Sequence, residues 1–257
     1  MLEKYIRERL ESRCLLLMAH AVVGYPSLDE NWDMLVAMQQ AGVDLVELQL
    51  PFSEPIADGP AFIRANQAAL EHGTHWQQYF DFMARATAEF DFPILFMGYY
   101  NSVYTMGHQA FCERLKSAGA GGFIVADLPV EHSAELDAYA RPAGLDHIQI
   151  VTPLNSEKRL VQIAEAGTGF LYCVARKGVT GKQTAFDLEL STYMQRCRKV
   201  TDLPLAVGFG IKTAEQLKSL RGSADIAIIG TACLDVWEQQ GATNYTKYLQ
   251  GLRKAAD

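Results

Sequence analysis

The 257 residues include only five cysteines, Cys14, Cys112, Cys173, Cys197 and Cys233, odd in number, scattered and never spaced as CxxC. That pattern argues against a disulfide framework or a cysteine-based zinc site and favours a reducing compartment. The six histidines, His20, His72, His75, His108, His132 and His147, form neither HxH nor HExxH, and HGTH at 72–75 reads as a turn. No metal site is therefore expected. Positive charge is also in short supply. A formal net charge of −7 argues against a nucleic-acid-binding surface, yet it is too mild to signal an acidic tail. No apolar run approaches the length of a membrane span. The first residues, MLEKYIRERLESR, have the mixed charges and spacing of an amphipathic helix rather than those of a signal peptide. A cytoplasmic protein with no membrane or nucleic-acid partner is the expectation.

No linker or low-complexity stretch divides the chain. What it has instead is alternation. Apolar runs at 15–21, 44–50, 93–98, 122–127, 147–151, 169–174, 203–209 and 225–230 read as strands. Helical patterns lie between them, such as LDENWDMLVAMQQAG, SAELDAYARPAG and SEKRLVQIAEAG, the last with Ser156 as a cap. Eight strands separated by helices predict an α/β fold, a single (β/α)8 TIM barrel over 1–257 with an extra N-terminal helix. A doubly wound open sheet is the alternative, weakened because no GxGxxG follows the first strand.

In a barrel, chemistry gathers at the C-terminal ends of the strands. The second strand carries a carboxylate there, Glu47, within DLVELQLPFSEPIADGP. Alternation puts Leu45, Glu47 and Gln49 on one side of the strand. Facing the barrel mouth, Glu47 suits proton transfer; facing outward, it would pair with a helix. Asp58 lies in a loop that is long and stiffened by proline, a type often functional, although ADGP is also a common turn. After the sixth strand, ARKGVTGKQTAF offers glycines and positive charge to an anion, or is simply a solvated basic loop. Gly210 stops the seventh strand before a helix that Thr213 could cap. Gly230 and Thr231 do the same before a short helix, so a phosphate-bearing substrate is the leading expectation against plain tight turns. None of the eight strands contains a lysine, which disfavours a Schiff-base aldolase.

The runs VELQLPFSEPIADGP, YYN (99–101), ADLPVEHS (126–133), KGVTG (177–181) and VGFGIKTAEQ (207–216) resemble, in order, those of the tryptophan synthase α subunit family. The resemblance covers nearly the whole chain. It implies a barrel lyase that cleaves indole-3-glycerol phosphate to indole and glyceraldehyde 3-phosphate by a retro-aldol route. It also implies a β-subunit partner in an α2β2 complex, with pyridoxal phosphate in the β subunit and no cofactor in this chain. By the same resemblance Glu47 is the general acid/base and Asp58 engages the indole N–H. Tyr172, Thr180, Gly181, Gly210, Gly230 and Thr231, with His20, Tyr99, Ala126 and Phe209, are then substrate-binding. Four positions depart from the family pattern. Gln49 stands for a glycine, Glu54 for an aspartate, His20 for an apolar or aromatic residue, and Ala175 for a serine. None removes a catalytic group. A different phosphosugar isomerase or epimerase, and a weakly active chain that mainly activates a β subunit, are the competing readings.

Overall fold

A computed structural model describes residues 1–174, 183–208 and 210–257 of the chain. The N-terminal pattern forms α1 (Leu2–Leu10), and the apolar runs form parallel strands. These are β1 (Leu16–Val22), β2 (Leu45–Gln49), β3 (Ile94–Gly98), β4 (Gly122–Val125), β5 (Asp146–His147), β6 (Gln149–Val151), β7 (Leu171–Val174), β8 (Leu205–Gly208) and β9 (Ile226–Ile229). Their order is β5-β4-β3-β2-β1-β9-β8-β7-β6. The run expected as one strand at 147–151 is split around Ile148, and the split has a topological reason. β5 pairs with β4 while β6 pairs with β7, so one short run serves both edges and curls the sheet into a nearly closed barrel.

Side-chain alternation then sorts the core into two layers. Leu16, Met18, Leu45, Leu95, Ile124, Ile148, Ala206 and Ile226 point inward and pack with Leu2 and Ile6, so α1 plugs the N-terminal end of the barrel. Leu17, Ala19, Val46, Leu48, Phe96, Phe123 and Ile229 belong to the outer layer, packed beneath the helices. The plugged end is pinned by charge. Asp44, fully buried at the start of β2, meets Arg253 at 2.8 Å and Arg9 and Arg13 each at 3.0 Å.

The helices follow from local signals. Those between β1 and β4 are α2 (Leu28–Gln40), α3 (Pro60–Glu71), α4 (Trp76–Glu89), α5 (Tyr100–Met106) and α6 (His108–Ser117). Ser27 caps α2 by accepting from the Glu30 N–H, and Pro60 opens α3 where its missing N–H does no harm. Next come α7 (Ala134–Ala143), α8 (Glu157–Ala166), which Ser156 caps as expected, and α9 (Gln183–Arg198). Thr213 and Gln216 form a capping box on α10 (Ala214–Leu220). The helix that opens after Gly230 is short, as expected, because the backbone leaves the helical region at Gly241, and a second helix follows. The two together make up α11 (Thr231–Ala256), whose far end delivers Arg253 to Asp44. Among the described residues no helix is long and apolar enough to cross a membrane.

Candidate active site

The parallel register of β1 and β2 sets His20 beside Glu47 and Val22 beside Gln49. Glu47 and Gln49 take the inward side, which settles the orientation that sequence left open. Glu47 is 2% exposed and Gln49 fully buried. Glu47 Oε1 lies 2.8 Å from His20 Nδ1, and His20 Nε2 lies 2.8 Å from Gln49 Oε1. The Gln49 amide nitrogen donates to Asp58 Oδ2 at 2.7 Å. A continuous polar row therefore crosses the barrel mouth from one acid to the other.

Asp58 reaches that row because its loop is held on both flanks. From α3, Asn66 donates to Asp58 Oδ2 at 3.3 Å and accepts the Phe52 N–H at 2.9 Å. On the other flank the Tyr99 hydroxyl accepts the Ala57 N–H at 3.2 Å, and the Tyr99 ring stacks on Phe52. Tyr99 is thus fully buried behind the loop and is not among the residues lining the cavity. Its hydroxyl and ring hold the loop that carries Asp58.

The cavity at the C-terminal ends of the strands holds about 230 Å³ and is bordered by His20, Glu47, Asp58, Ala126 and Tyr172. Gly210, Gly230 and Thr231 also border it, so the helix start of α11 opens onto it. The first amides of a helix lack intrahelical acceptors and carry partial positive charge, which suits an anion. Gly210 needs to be glycine, since its φ is +62°. Gly208 is constrained differently: a Cβ there would come within 2.7 Å of the Tyr172 ring. Three residues expected at the site, Thr180, Gly181 and Phe209, lie outside the described residues, as does Ala175.

Electrostatics follows the geometry. Burial alone pushes the His20 imidazole pKa down, but the Glu47 charge and hydrogen bond, then Asp58 and Gln49, lift it above its ordinary value. Burial, reinforced by the charges of Glu47 and Asp58, raises the Tyr172 hydroxyl well above the usual range, so it stays a neutral donor. Sequence reasoning missed Asn66 and Phe62, whose ring lies 4.4 Å from His20, because both come from a helix whose rotation no local pattern fixes. Among the described residues no group of three or more His, Cys, Asp or Glu could hold a metal ion.

The sequence profile of the tryptophan synthase alpha chain family matches residues 8–256. The chain belongs to the tryptophan synthase alpha chain family. It is 44% identical over 253 residues to the tryptophan synthase alpha chain of Syntrophotalea carbinolica, covering 98% of this chain and 100% of that one. Another relative is the tryptophan synthase of Saccharomyces cerevisiae. It is 37% identical over 246 residues, which make up 93% of this chain and 35% of the yeast protein. Among solved structures, tryptophan synthase of Mycobacterium tuberculosis superposes with a TM-score of 0.90 at 27% identity, covering 99% and 97% of the two chains. The tryptophan synthase subunit alpha of Legionella pneumophila gives the same TM-score and identity over 100% and 98%. These neighbours are alpha-chain TIM barrels, as the strand order here requires.

Proposed function

We propose that Glu47 and Asp58 divide the chemistry of this lyase. The chain catalyses the α reaction of tryptophan biosynthesis, retro-aldol cleavage of indole-3-glycerol phosphate to indole and glyceraldehyde 3-phosphate. The observation that carries the division is placement: a buried strand carboxyl and a loop carboxyl face one cavity that a helix start also borders. Carbon–carbon cleavage needs a proton on indole C3 so that the ring can accept the electron pair. Glu47 supplies it and takes the proton of the glycerol hydroxyl. Asp58 steadies positive charge at the ring nitrogen, which counts for more in a site shielded from water. Gly210, Gly230 and Thr231 receive the phosphate at the start of α11, and Tyr172, His20 and Ala126 border the indole. Thr180, Gly181 and Phe209 complete the substrate contacts by resemblance alone.

The indole ring itself is the electron sink, so this half of the reaction needs no cofactor in the chain. Pyridoxal phosphate belongs to a β subunit, with which the chain forms an α2β2 complex in the cytoplasm, the whole of 1–257 acting as one barrel domain. The partner reading is supported at the barrel's catalytic end. Ile56, Tyr104 and Leu154, which follow β2, β3 and β6, are 80%, 66% and 77% exposed. Three large apolar side chains at the face where indole leaves suit a docking surface. The yeast relative, of which this chain matches about a third, also suits a barrel that works beside another module.

The test is indole release from indole-3-glycerol phosphate by the purified chain, alone and with a β subunit. Slow release that accelerates on adding the β subunit is expected. No indole under either condition would refute the activity, and an unchanged rate would refute the partner.

A further inference from the structure

Two carboxyls suffice for the chemistry proposed above, which leaves a buried histidine and a buried glutamine between them unexplained. Their hydrogen bonds have a readable direction. The Phe52 N–H donates to Asn66 Oδ1 at 2.9 Å and so fixes that oxygen as an acceptor; Gln49 therefore presents its NH2 to it at 3.4 Å and to Asp58 Oδ2 at 2.7 Å. The Gln49 carbonyl therefore faces His20, and because a carbonyl only accepts, His20 Nε2 carries a hydrogen. What remains is Nδ1 facing Glu47 Oε1 at 2.8 Å. Two bare lone pairs at that distance repel, so one proton sits between them. Among the described residues the Glu47 side chain makes no other hydrogen bond.

We propose that the acid–base unit of this chain is the Glu47–His20 pair, sharing one proton, with Gln49 and Asp58 fixing the His20 tautomer. The proposal rests on Glu47 as the acid of the cleavage reaction. In the forward direction the shared proton leaves through Glu47 and forms the C3–H bond of the indole ring. Glu47 is left a carboxylate and His20 a neutral imidazole with its hydrogen on Nε2. As the bond between C3 and the carbinol carbon breaks, its electron pair returns to the ring. The carbinol oxygen becomes the aldehyde carbonyl, and its proton returns to the pair. One proton goes out and one comes back.

His20 acts through Glu47 and is a positioning residue. The titratable groups that face it are Glu47 of β2, Asp58 of the following loop and, across the cavity, Tyr172 of β7. The α3 side offers the uncharged Phe62 ring, and the β9 side offers Gly230. Both carboxylates favour the imidazolium, and the raised His20 pKa means the pair keeps its proton at pH values where a free imidazole has lost it. Activity is then lost only as pH rises through that raised value.

The experiment has two arms. Nitrogen-15 NMR of the unmutated protein reads His20 directly: Nε2 stays protonated across the titration while Nδ1 titrates above about 6.5. The second arm is the pH profile of kcat for His20→Gln, which keeps a hydrogen-bonding side chain but has no proton to share. Its alkaline limb should move to lower pH, seen as a loss of kcat of about tenfold or more at a fixed alkaline pH. Glu47→Gln, inactive at every pH, checks the underlying reading separately. If Glu47→Gln is inactive while His20→Gln keeps the parent profile, the pair is overturned and the carboxyl reading stands. An active Glu47→Gln overturns both. An unprotonated Nε2 in the NMR arm overturns the tautomer assignment and the pair with it.

Discussion

Replacing Asp44 by Asn removes one charge from the plugged end of the barrel and keeps the shape. Three guanidinium groups converge on Asp44, but they are not equivalent. Arg9 is 38% exposed, Arg13 20% and Arg253 only 9%. An exposed pair such as Arg9 adds well under about 1 kcal/mol after solvent screening. Arg253 is the large term, since a buried charge that loses its partner typically costs about 3–5 kcal/mol. Its remaining bonds, to the Leu15 carbonyl and Asp257 Oδ1, both at 2.7 Å, keep the loss at the low end, about 3 kcal/mol. For a chain of this size that lowers Tm by about 6 °C. Urea denaturation and a thermal melt followed by circular dichroism measure both quantities, with Arg9→Ala as the control expected to lose under about 1 kcal/mol. Cleavage activity should persist, because the cavity lies at the opposite end of the strands. A loss below about 1 kcal/mol for Asp44→Asn, or an equal loss for Arg9→Ala, would refute the assignment of the buried Arg253 contact as dominant.

Stability in acid should depend on Asp137. Burial raises its pKa, but hydrogen bonding and charge from His147, then Ser133, outweigh this and hold it below the usual 3.8. A depressed carboxylate contributes stability above its unfolded value, and that stability is lost as pH falls through the folded value. Urea midpoints of Asp137→Asn should therefore be lower at neutral pH and flatter below about pH 4 than those of the parent; parallel curves would contradict the His147 pairing. Gly208→Ala should push the Tyr172 ring off the cavity wall, since its Cβ would lie 2.7 Å from that ring. A fall in kcat/KM of about tenfold to a hundredfold is expected, and an unchanged kcat/KM would show that Tyr172 does not shape the substrate site.

Much of the barrel was legible because its signals are local. Apolar runs, Ser156 and Thr213 as caps, and the amphipathic start of α1 each act within a few residues. The split at Ile148 was not legible, since a run of five apolar and polar residues looks the same whether it serves one strand neighbour or two. At the site, alternation put Gln49 on the same side as Glu47, and the structure agrees. What alternation cannot supply is the offset between two strands, and that offset is what sets His20 against Glu47. The inward face of Glu47 likewise had to come from the closed sheet. Tyr99 shows the limit from the other side, a conspicuous motif residue whose hydroxyl serves the loop backbone.

The central claim is that Glu47 moves the protons of the cleavage step. The measurement is kcat for indole-3-glycerol phosphate cleavage by folded Glu47→Gln, with affinity for a phosphate analogue measured on the same preparation. General acid–base groups contribute about 10² to 10⁴ in rate, and a group serving two proton transfers belongs at or above the top of that range. Loss of nearly all turnover with analogue affinity intact is the expected result. Retention of more than about a tenth of the parent rate would contradict the account, since that loss is far smaller than an acid–base role requires.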